Sequence, residues 1–505
     1  YFKNKKIDYI SMPGCILGSH APFTWGKTVD EAVNNSIALE EDEGCKIFSQ
    51  NEISLHTYYE LVRYLERDFE IQICDSEFFN ALLTKTFSTD QDSTFSPDEL
   101  NDSFDLKSFA NSIAPTEDLL SGHNDAPIIK LINGVISQAI KKRASDIHFE
   151  PYENQFVIRY RIDGILQEIL SQDARIAPLI ISRLKIISRL DISERRLPQD
   201  GRVSLSMGSK NVDVRISTLP SSYGERIVLR LLDKQSAQIN IEDLGLDKNT
   251  LKNYKSTLKA SEGIILVTGP TGSGKTTTLY AGLRHLSDSS QNILTVEDPI
   301  EYTLKGIGQT QVNLKTGYNF AVGLRSMLRQ DPDVVMVGEV RDDETARIAI
   351  QASLTGHLVL STVHTNSAVG AITRLRDMGI ESFLLASSLK TIISQRLIRR
   401  LCNHCKTTEK LTMGMAKNFD FEDNTIVYVP TGCDHCEGSG YFGRVAIAES
   451  IQIDSRLKNM IHESASEQEI SKYAFTDNQP IDQLAKELII NGLTSSAELL
   501  RIKTQ

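Results

Sequence analysis

The run Gly269-Pro270-Thr271-Gly272-Ser273-Gly274-Lys275-Thr276 follows directly on the apolar stretch Gly263-Ile264-Ile265-Leu266-Val267. A strand, a glycine-rich turn and a helix start in that order constrain the fold more than anything else in the chain. The glycines let backbone N–H groups close round an anion with no Cβ in the way. The helix expected from Thr276 onward adds partial positive charge at its N-terminus. Lys275 can reach the outer phosphates of a nucleotide, and the Thr276 hydroxyl can ligate Mg²⁺. Thr277 completes the expected contact set. An ordinary glycine-rich turn is the alternative, and the agreement of all eight residues with their flanks argues against it. The sequence therefore predicts ATP with Mg²⁺.

The chain has 505 residues, enough for three to five domains. Its formal net charge is −11, from 55 basic and 66 acidic side chains, which argues against broad attraction to nucleic acid or anionic lipid. No apolar run reaches membrane-spanning length, and no signal peptide is legible. Position 1 is Tyr rather than Met, so a start upstream is compatible with the sequence. Of seven cysteines, Cys15, Cys45 and Cys74 are scattered and read as reduced thiols of a cytosolic protein.

Residues 1–87 mix short strand-like and helical runs, including an amphipathic helix over Leu55–Leu65. From Ser88 to Asp125 nine acids face one base, Lys107, among seven serines. That composition predicts a flexible tether. Residues 126–235 read as a small arginine-rich α+β domain. It has a helix over Ile128–Arg143, a strand at 146–150, a hairpin turning at Asp163-Gly164, and a strand pair at Val212–Thr218 and Arg226–Leu232. Residues 236–395 alternate strand and helix. Apolar runs at Ile264–Val267, Ile293–Val296, Val334–Val337 and Leu358–Leu360 predict a parallel sheet. A cysteine module (396–445) and a helical tail (446–505) follow.

Two of these strands end in acids. Val334–Val337 runs into Gly338-Glu339, and Ile293–Val296 into Glu297-Asp298. A carboxylate delivered beside the phosphate loop can orient attacking water. Gly338 stands where many such enzymes carry a metal-binding Asp, so Glu297 and Asp298 are candidates to supply the missing acid. The spacing suits adjacent strands, although solvated strand ends look the same. His357 and His364 bracket the strand 358–363 and could sense the γ-phosphate through hydrogen bonds. Arg215, Arg226 and Arg230 cluster in the α+β domain, and Arg325, Arg329 and Arg341 in the nucleotide domain. Guanidinium forks suit phosphate oxygens, and an arginine from another domain or subunit can neutralise transition-state charge. A surface ion-pair network is the other reading.

Cys402-Asn403-His404-Cys405 and Cys433-Asp434-His435-Cys436 repeat one C-x2-C knuckle, with 27 residues between them. Two such pairs grip one tetrahedral Zn²⁺. Four thiolates fill four positions, so His404 and His435 read as bystanders and the zinc as structural. Empty or disulfide-paired cysteines are the alternative.

Several longer stretches resemble the secretion ATPases of the type II secretion and type IV pilus superfamily, most closely its type II secretion members. They include Ala144-Ser145-Asp146-Ile147-His148, Arg196-Leu197-Pro198-Gln199-Asp200-Gly201-Arg202 and Gly224-Glu225-Arg226. They also include the phosphate loop, Thr295–Tyr302, Leu328–Asp333, Gly338–Asp342 and Thr355-Gly356-His357. The resemblance is dense from about Ala126 to Ser450. It implies a RecA-like ATPase core behind a PAS-like domain, with a divergent N-terminal α/β domain and the zinc knuckle. It implies that Glu339 activates water, that Glu297 and Asp298 form an aspartate box, and that His357 and His364 form a histidine box. It has Arg215, Arg230, Arg325, Arg329 and Arg341 reaching phosphates at domain or subunit junctions. The implied assembly is a cytoplasmic hexamer that couples hydrolysis to pseudopilus growth and protein export. Its implied partners are a GspL-type cytoplasmic domain and a GspF-type inner-membrane platform, with residues 1–87 docking there. The tetracysteine module looks like the assembly-type motors and unlike the retraction motors, while Gly306–Gln311, Ile372–Gly379 and Phe383–Ser388 look more like the type II secretion members than the pilus extension members. A pilus extension motor, a non-hydrolysing scaffold and a nucleic-acid motor are the rival expectations.

Overall fold

In the computed structural model, the apolar runs that predicted a parallel sheet become its strands. The structure describes residues 36–41, 44–49, 69–73, 106–112, 126–207, 210–232, 239–288, 290–411, 416, 421–422, 425–476 and 478–504. The helix expected over 55–65 lies outside the described residues. Two compact units make up the chain: residues 1–138 with 205–211, and residues 139–204 with 212–505.

In the first unit, β1 (Ser36–Glu41) runs antiparallel to β2 (Gly44–Ser49), which is parallel to β3 (Phe69–Ile73). Helix α1 (Leu106–Ser112) lies inside the segment whose composition predicts a tether. Its apolar residues Leu106 and Ala110, four apart, are buried. An average over a long acidic segment hides one such local pair. Helix α2 (Ala126–Lys141) follows.

A six-stranded sheet follows, most of it in the second unit. Its strands are β4 (Asp146–Pro151), β5 (Gln155–Ile162), β6 (Ile165–Asp173), β7 (Gln199–Met207), β8 (Lys210–Ser221) and β9 (Gly224–Leu232), in the order β6-β5-β4-β9-β8-β7. The β5–β6 turn at Asp163-Gly164 has positive φ at both residues (47° and 88°), as a tight hairpin turn requires. Register gives the sheet two unlike faces. Ile147, Phe149, Ile158, Tyr160, Ile216, Ile227 and Leu229 are buried on one, and α3 (Ala177–Ile187) packs against β9. Alternation puts Asp146, His148, Glu150, Arg159, Arg161, Arg215, Arg226 and Arg230 on the other.

The nucleotide domain is built on β10 (Gly263–Thr268), β11 (Ile293–Glu297), β12 (Gly308–Gln311), β13 (Val334–Val337), β14 (Leu358–Val363), β15 (Leu389–Leu401) and β18 (Tyr441–Gln452). Their order is β12-β11-β13-β14-β10-β15-β18, parallel except for β18. Helices α4 (Lys248–Leu258) and α5 (Lys275–Leu286) cover one face. The other is covered by α6 (Phe320–Met327), α7 (Asp343–Leu354), α8 (Ala368–Asp377), α9 (Ser382–Ser388), α10 (Ser455–His462) and α11 (Glu467–Ala474). β10, β13 and β14 are buried along their whole length, which explains their continuous apolar sequence.

The boundary expected between 395 and 396 falls inside β15. This strand continues to Leu401 and pairs along most of its length with β18, so the sheet holds the cysteine module between two of its own strands. A smaller ladder of β16 (Thr407–Lys410) and β17 (Ile426–Val429) lies in that module. Helices α12 (Ile481–Ile490) and α13 (Ser496–Thr504) share a core with Ile398, Leu411, Val427 and Ile447. Among the described residues no helix is long and apolar enough to cross a membrane.

Candidate active site

Parallel strands deliver their C-terminal ends to one edge, where ligands of open α/β sheets bind. Here β10 ends in the phosphate loop, β11 in Glu297-Asp298, β13 in Gly338-Glu339 and β14 in Val363-His364. β11 and β13 are neighbours, as their spacing predicts. β14 separates β13 from β10, so His364 stands between the loop and Glu339.

The loop is fastened from β15. Gln395, 2% exposed, donates through Nε2 to Ser273 O (2.9 Å) and accepts through Oε1 from Thr278 Oγ1 (2.6 Å). A Cβ on Gly269 would lie 2.2 Å from the Gln395 carbonyl oxygen, at φ +141°, so only glycine fits. The Ser273 hydroxyl is buried and has no hydrogen-bond partner among the described residues. An unpartnered donor inside a glycine cradle suits a phosphate oxygen. Lys275 Nζ donates to Gly269 O (2.8 Å) and Pro270 O (3.0 Å). Burial lowers its pKa to about 8, partly offset by the Glu339 charge.

Glu339 pairs with Arg341 (2.9 Å) and lies 3.3 Å from His364 Nε2. Burial lowers the His364 pKa, and the Lys275 charge lowers it further. A neutral imidazole can donate or accept beside a γ-phosphate. Glu297 differs from expectation. It is buried and accepts from Tyr280 Oη, from Thr295 Oγ1 (2.6 Å) and from Gln309 Nε2 (3.0 Å). With three of its roughly four lone-pair sites taken by protein donors, it braces the strand end at the cavity wall. Asp298, next to it, is exposed and lines the cavity.

Arg215 and Arg230 enter from the charged face of the six-stranded sheet. Arg215 donates to Ile300 O (2.7 Å) and pairs with Glu301 (3.0 Å), while its buried Nε has no partner among the described residues. Arg230 pairs with Asp146 (2.9 Å). These groups, the loop from Pro270 to Thr277, Glu297, Asp298, Glu339, Arg341 and His364 line one open cavity of about 1230 Å³. That volume admits a nucleoside triphosphate with its metal ion. The phosphate loop, the orphaned Ser273 hydroxyl and the Arg215 Nε fit MgATP, and Thr276, exposed at the head of α5, is placed to offer a hydroxyl to Mg²⁺.

Four candidates stand apart. His357 precedes β14 and so lies at the opposite end of that strand, roughly 23 Å from His364 at 3.3 Å per residue; its Nδ1 is 2.9 Å from Ala352 O. The two histidines therefore do not meet at one phosphate within a chain. Arg325, on α6, pairs with Glu344 (2.6 Å), and Arg329 donates to Arg325 O (2.9 Å). Neither lines the cavity. Arg226 sits at the far end of the charged face with Glu150, Arg159 and His148.

No motif or spacing assigns a role to Asp146, Arg161, Glu301, Gln395 or Arg396, all of which line the cavity or hold its loop. Asp146 and Glu301 lie within the family-like stretches, so a signal existed. Gln395 and Arg396 had none, because only strand order places β15 beside the loop.

The four cysteines converge, all ligand atoms within 4.8 Å of one another. Sulfur separations are 3.9 Å (Cys402–Cys433), 3.7 Å (Cys405–Cys436) and 3.7 Å (Cys433–Cys436). A zinc tetrahedron with bonds near 2.3 Å has edges of about 3.8 Å, and a disulfide would need about 2.05 Å. The donor set fits zinc and not paired cystines. The backbone N–H groups of Cys433 and Gly440 point at Cys436 Sγ (both 3.2 Å), which favours its thiolate. The rings of His404 and His435 pack together at a tilt of 43°, centroids 4.3 Å apart, outside the ligand set.

A RecA-type parallel sheet with a phosphate loop, roofed by arginines from a second sheet and carrying a tetracysteine insert, defines a P-loop nucleotide motor of the secretion type. Residues 121–501 match the model of the family described as Type II/IV secretion system protein, and the chain belongs to that family. It is 47% identical over 468 residues to the type II secretion system protein E of Klebsiella pneumoniae, covering 92% of this chain and 94% of that one. It is equally 47% identical over 467 residues to the type II secretion system ATPase E of Vibrio cholerae (92% and 93%). Among solved structures, the pilus retraction motor PilT with bound ADP is 26% identical with a TM-score of 0.50, covering 73% of this chain and 95% of that one. The Legionella pneumophila ATPase DotB shares the fold (TM-score 0.55, 22% identity, 74% and 95%).

Proposed function

We propose that this chain is the ATPase that powers a type II secretion system, converting ATP hydrolysis into pseudopilus assembly and protein export. One observation carries the reading: a phosphate loop, a strand-end glutamate and two arginines from a separate sheet share one cavity. Lys275 and the loop amides hold the phosphates, Thr276 holds Mg²⁺, and the metal neutralises β/γ charge when bound. Glu339 orients the attacking water, and His364 reads the γ-phosphate. Asp298 is the acid placed to support the metal's water shell, and Glu297 sets the strand end that presents it. Arg215 and Arg230 tie the six-stranded sheet to the phosphates, so hydrolysis loosens that tie and lets the two sheets change their angle. Arg325 and Arg329 lie outside the cavity of their own chain, which suits contact with a neighbouring subunit's nucleotide in a hexamer.

The motor works on the cytoplasmic side of the inner membrane through a GspL-type domain and a GspF-type platform, with residues 1–87 as the docking module. The four cysteines hold a structural Zn²⁺. Glu339→Gln should bind MgATP with little change and lose turnover by about 10²-fold or more. It should also fail to restore export in a strain lacking its own ATPase. Normal turnover in that variant removes Glu339 from the mechanism.

A further inference from the structure

A carboxylate that faces an anion-binding cavity works against its ligand. Asp146 is such a group: its side chain is 7% exposed, and it lines the cavity together with the phosphate loop. It sits at the first position of β4, opposite Arg161 on β5 and Arg230 on β9. Its Oδ1 accepts from Arg230 Nε (2.9 Å), its Oδ2 accepts from Ser145 Oγ (2.8 Å), and Arg161 Nε lies 3.6 Å away. One acid thus serves two guanidinium groups on the face that meets the nucleotide. The two arginines are held unequally. Arg161 also donates to Gly164 O (3.1 Å), whereas the Arg230 side chain is 57% exposed. Arg230 can leave the carboxylate by rotating about its own side-chain bonds, without any movement of the strand.

We propose that Asp146 is a positioning residue that competes with the nucleotide's phosphates for Arg230. It holds the guanidinium beside β4 until a triphosphate of higher charge draws it across the cavity, and it takes the guanidinium back when the γ-phosphate departs. Asp146 thereby lowers nucleotide affinity, and lowers it most for the triphosphate, the ligand that draws Arg230 hardest. A motor that must release its product gains from such a rival acceptor. The inference rests on the proposed role of Arg230 as a phosphate clamp.

The test is a binding cycle on the full chain with MgATPγS and MgADP, using Asp146→Asn, Arg230→Ala and the double variant. Asp146→Asn keeps size and an acceptor oxygen but removes the charge. It should bind MgATPγS about three- to tenfold more tightly, with a smaller relative gain for MgADP. Arg230→Ala should bind more weakly, and the double variant should match it. A merely structural role does not predict a gain in affinity. Weaker binding by Arg230→Ala with no gain from Asp146→Asn overturns the competition alone. Unchanged binding by Arg230→Ala overturns the clamp beneath it. Asp146→Ser, smaller but still hydrogen-bonding, replaces the amide if that variant does not fold. Failure of both to fold would assign Asp146 to stability and end the proposal.

Discussion

Truncation of Gln395 should damage the phosphate loop from behind, without touching any group that meets the nucleotide. The amide is almost fully buried and links β15 to the loop at Ser273 O and to α5 at Thr278 Oγ1. Gln395→Ala leaves both of those polar groups without their partner, at about 1–3 kcal/mol each. It also opens a cavity several heavy atoms in size, with a further cost of about 1–2 kcal/mol. Partial relaxation brings the total to about 3–5 kcal/mol, or a fall of roughly 10 °C in the unfolding midpoint of the nucleotide domain. Gln395→Glu separates the terms. It keeps volume and the bond from Thr278, but turns the donor facing Ser273 O into a second acceptor and adds negative charge beside the phosphates. It should lose less stability than Gln395→Ala and more MgATP affinity. Thermal unfolding with and without MgATPγS reads both quantities, because ligand at a hundredfold excess over Kd adds about 2.7 kcal/mol to the folded state. If both variants unfold at the wild-type temperature and show an undiminished ligand shift, the fastening argument is wrong.

Lys275, held at about 8 by burial, should make MgATP affinity pH-dependent. Its folded pKa lies below its unfolded one, so stability rises with pH between them, while the cation needed at the phosphates is lost over the same range. Affinity should be flat below pH 7 and fall above pH 8 by up to about tenfold per unit; a Lys275→Met variant with the same profile would remove Lys275 as the cause. Gly269→Ala should abolish nucleotide binding, since its Cβ meets a backbone oxygen at 2.2 Å; calorimetric titration with wild-type affinity would contradict the steric reading. Cys433→Ser should release the zinc, measured as metal per chain, and expose the 402–436 module to proteolysis while the phosphate loop still binds nucleotide. Retention of one full zinc per chain by that variant would rule out four-sulfur ligation.

Local pattern made part of this architecture legible. The strand–loop–helix at 263–286, the Asp163-Gly164 hairpin and the paired knuckles each lie within a few residues or repeat a short motif, so chemistry and spacing alone announced them. Glu339 was readable because an apolar run ends there. Arg215 and Arg230 were visible as candidates, but their partners were not: Asp146 lies 84 residues from Arg230 and Ile300 lies 85 from Arg215. The two histidines show the opposite failure. They are close in sequence and chemically alike, yet a six-residue strand sends them to opposite ends of the sheet.

By itself, then, the sequence determined that a phosphate loop follows a strand, which strand ends carry acids, and that four cysteines recur at the spacing of a metal knuckle, because each depends on residues near one another along the chain. Only the tertiary structure decided that β14 divides β13 from β10, that β15 and β18 enclose the cysteine module, and that Asp146 and Glu301 hold the arginines facing the loop. Strand order and cross-sheet pairing arise from burial of whole faces. No short window of the chain records which faces meet.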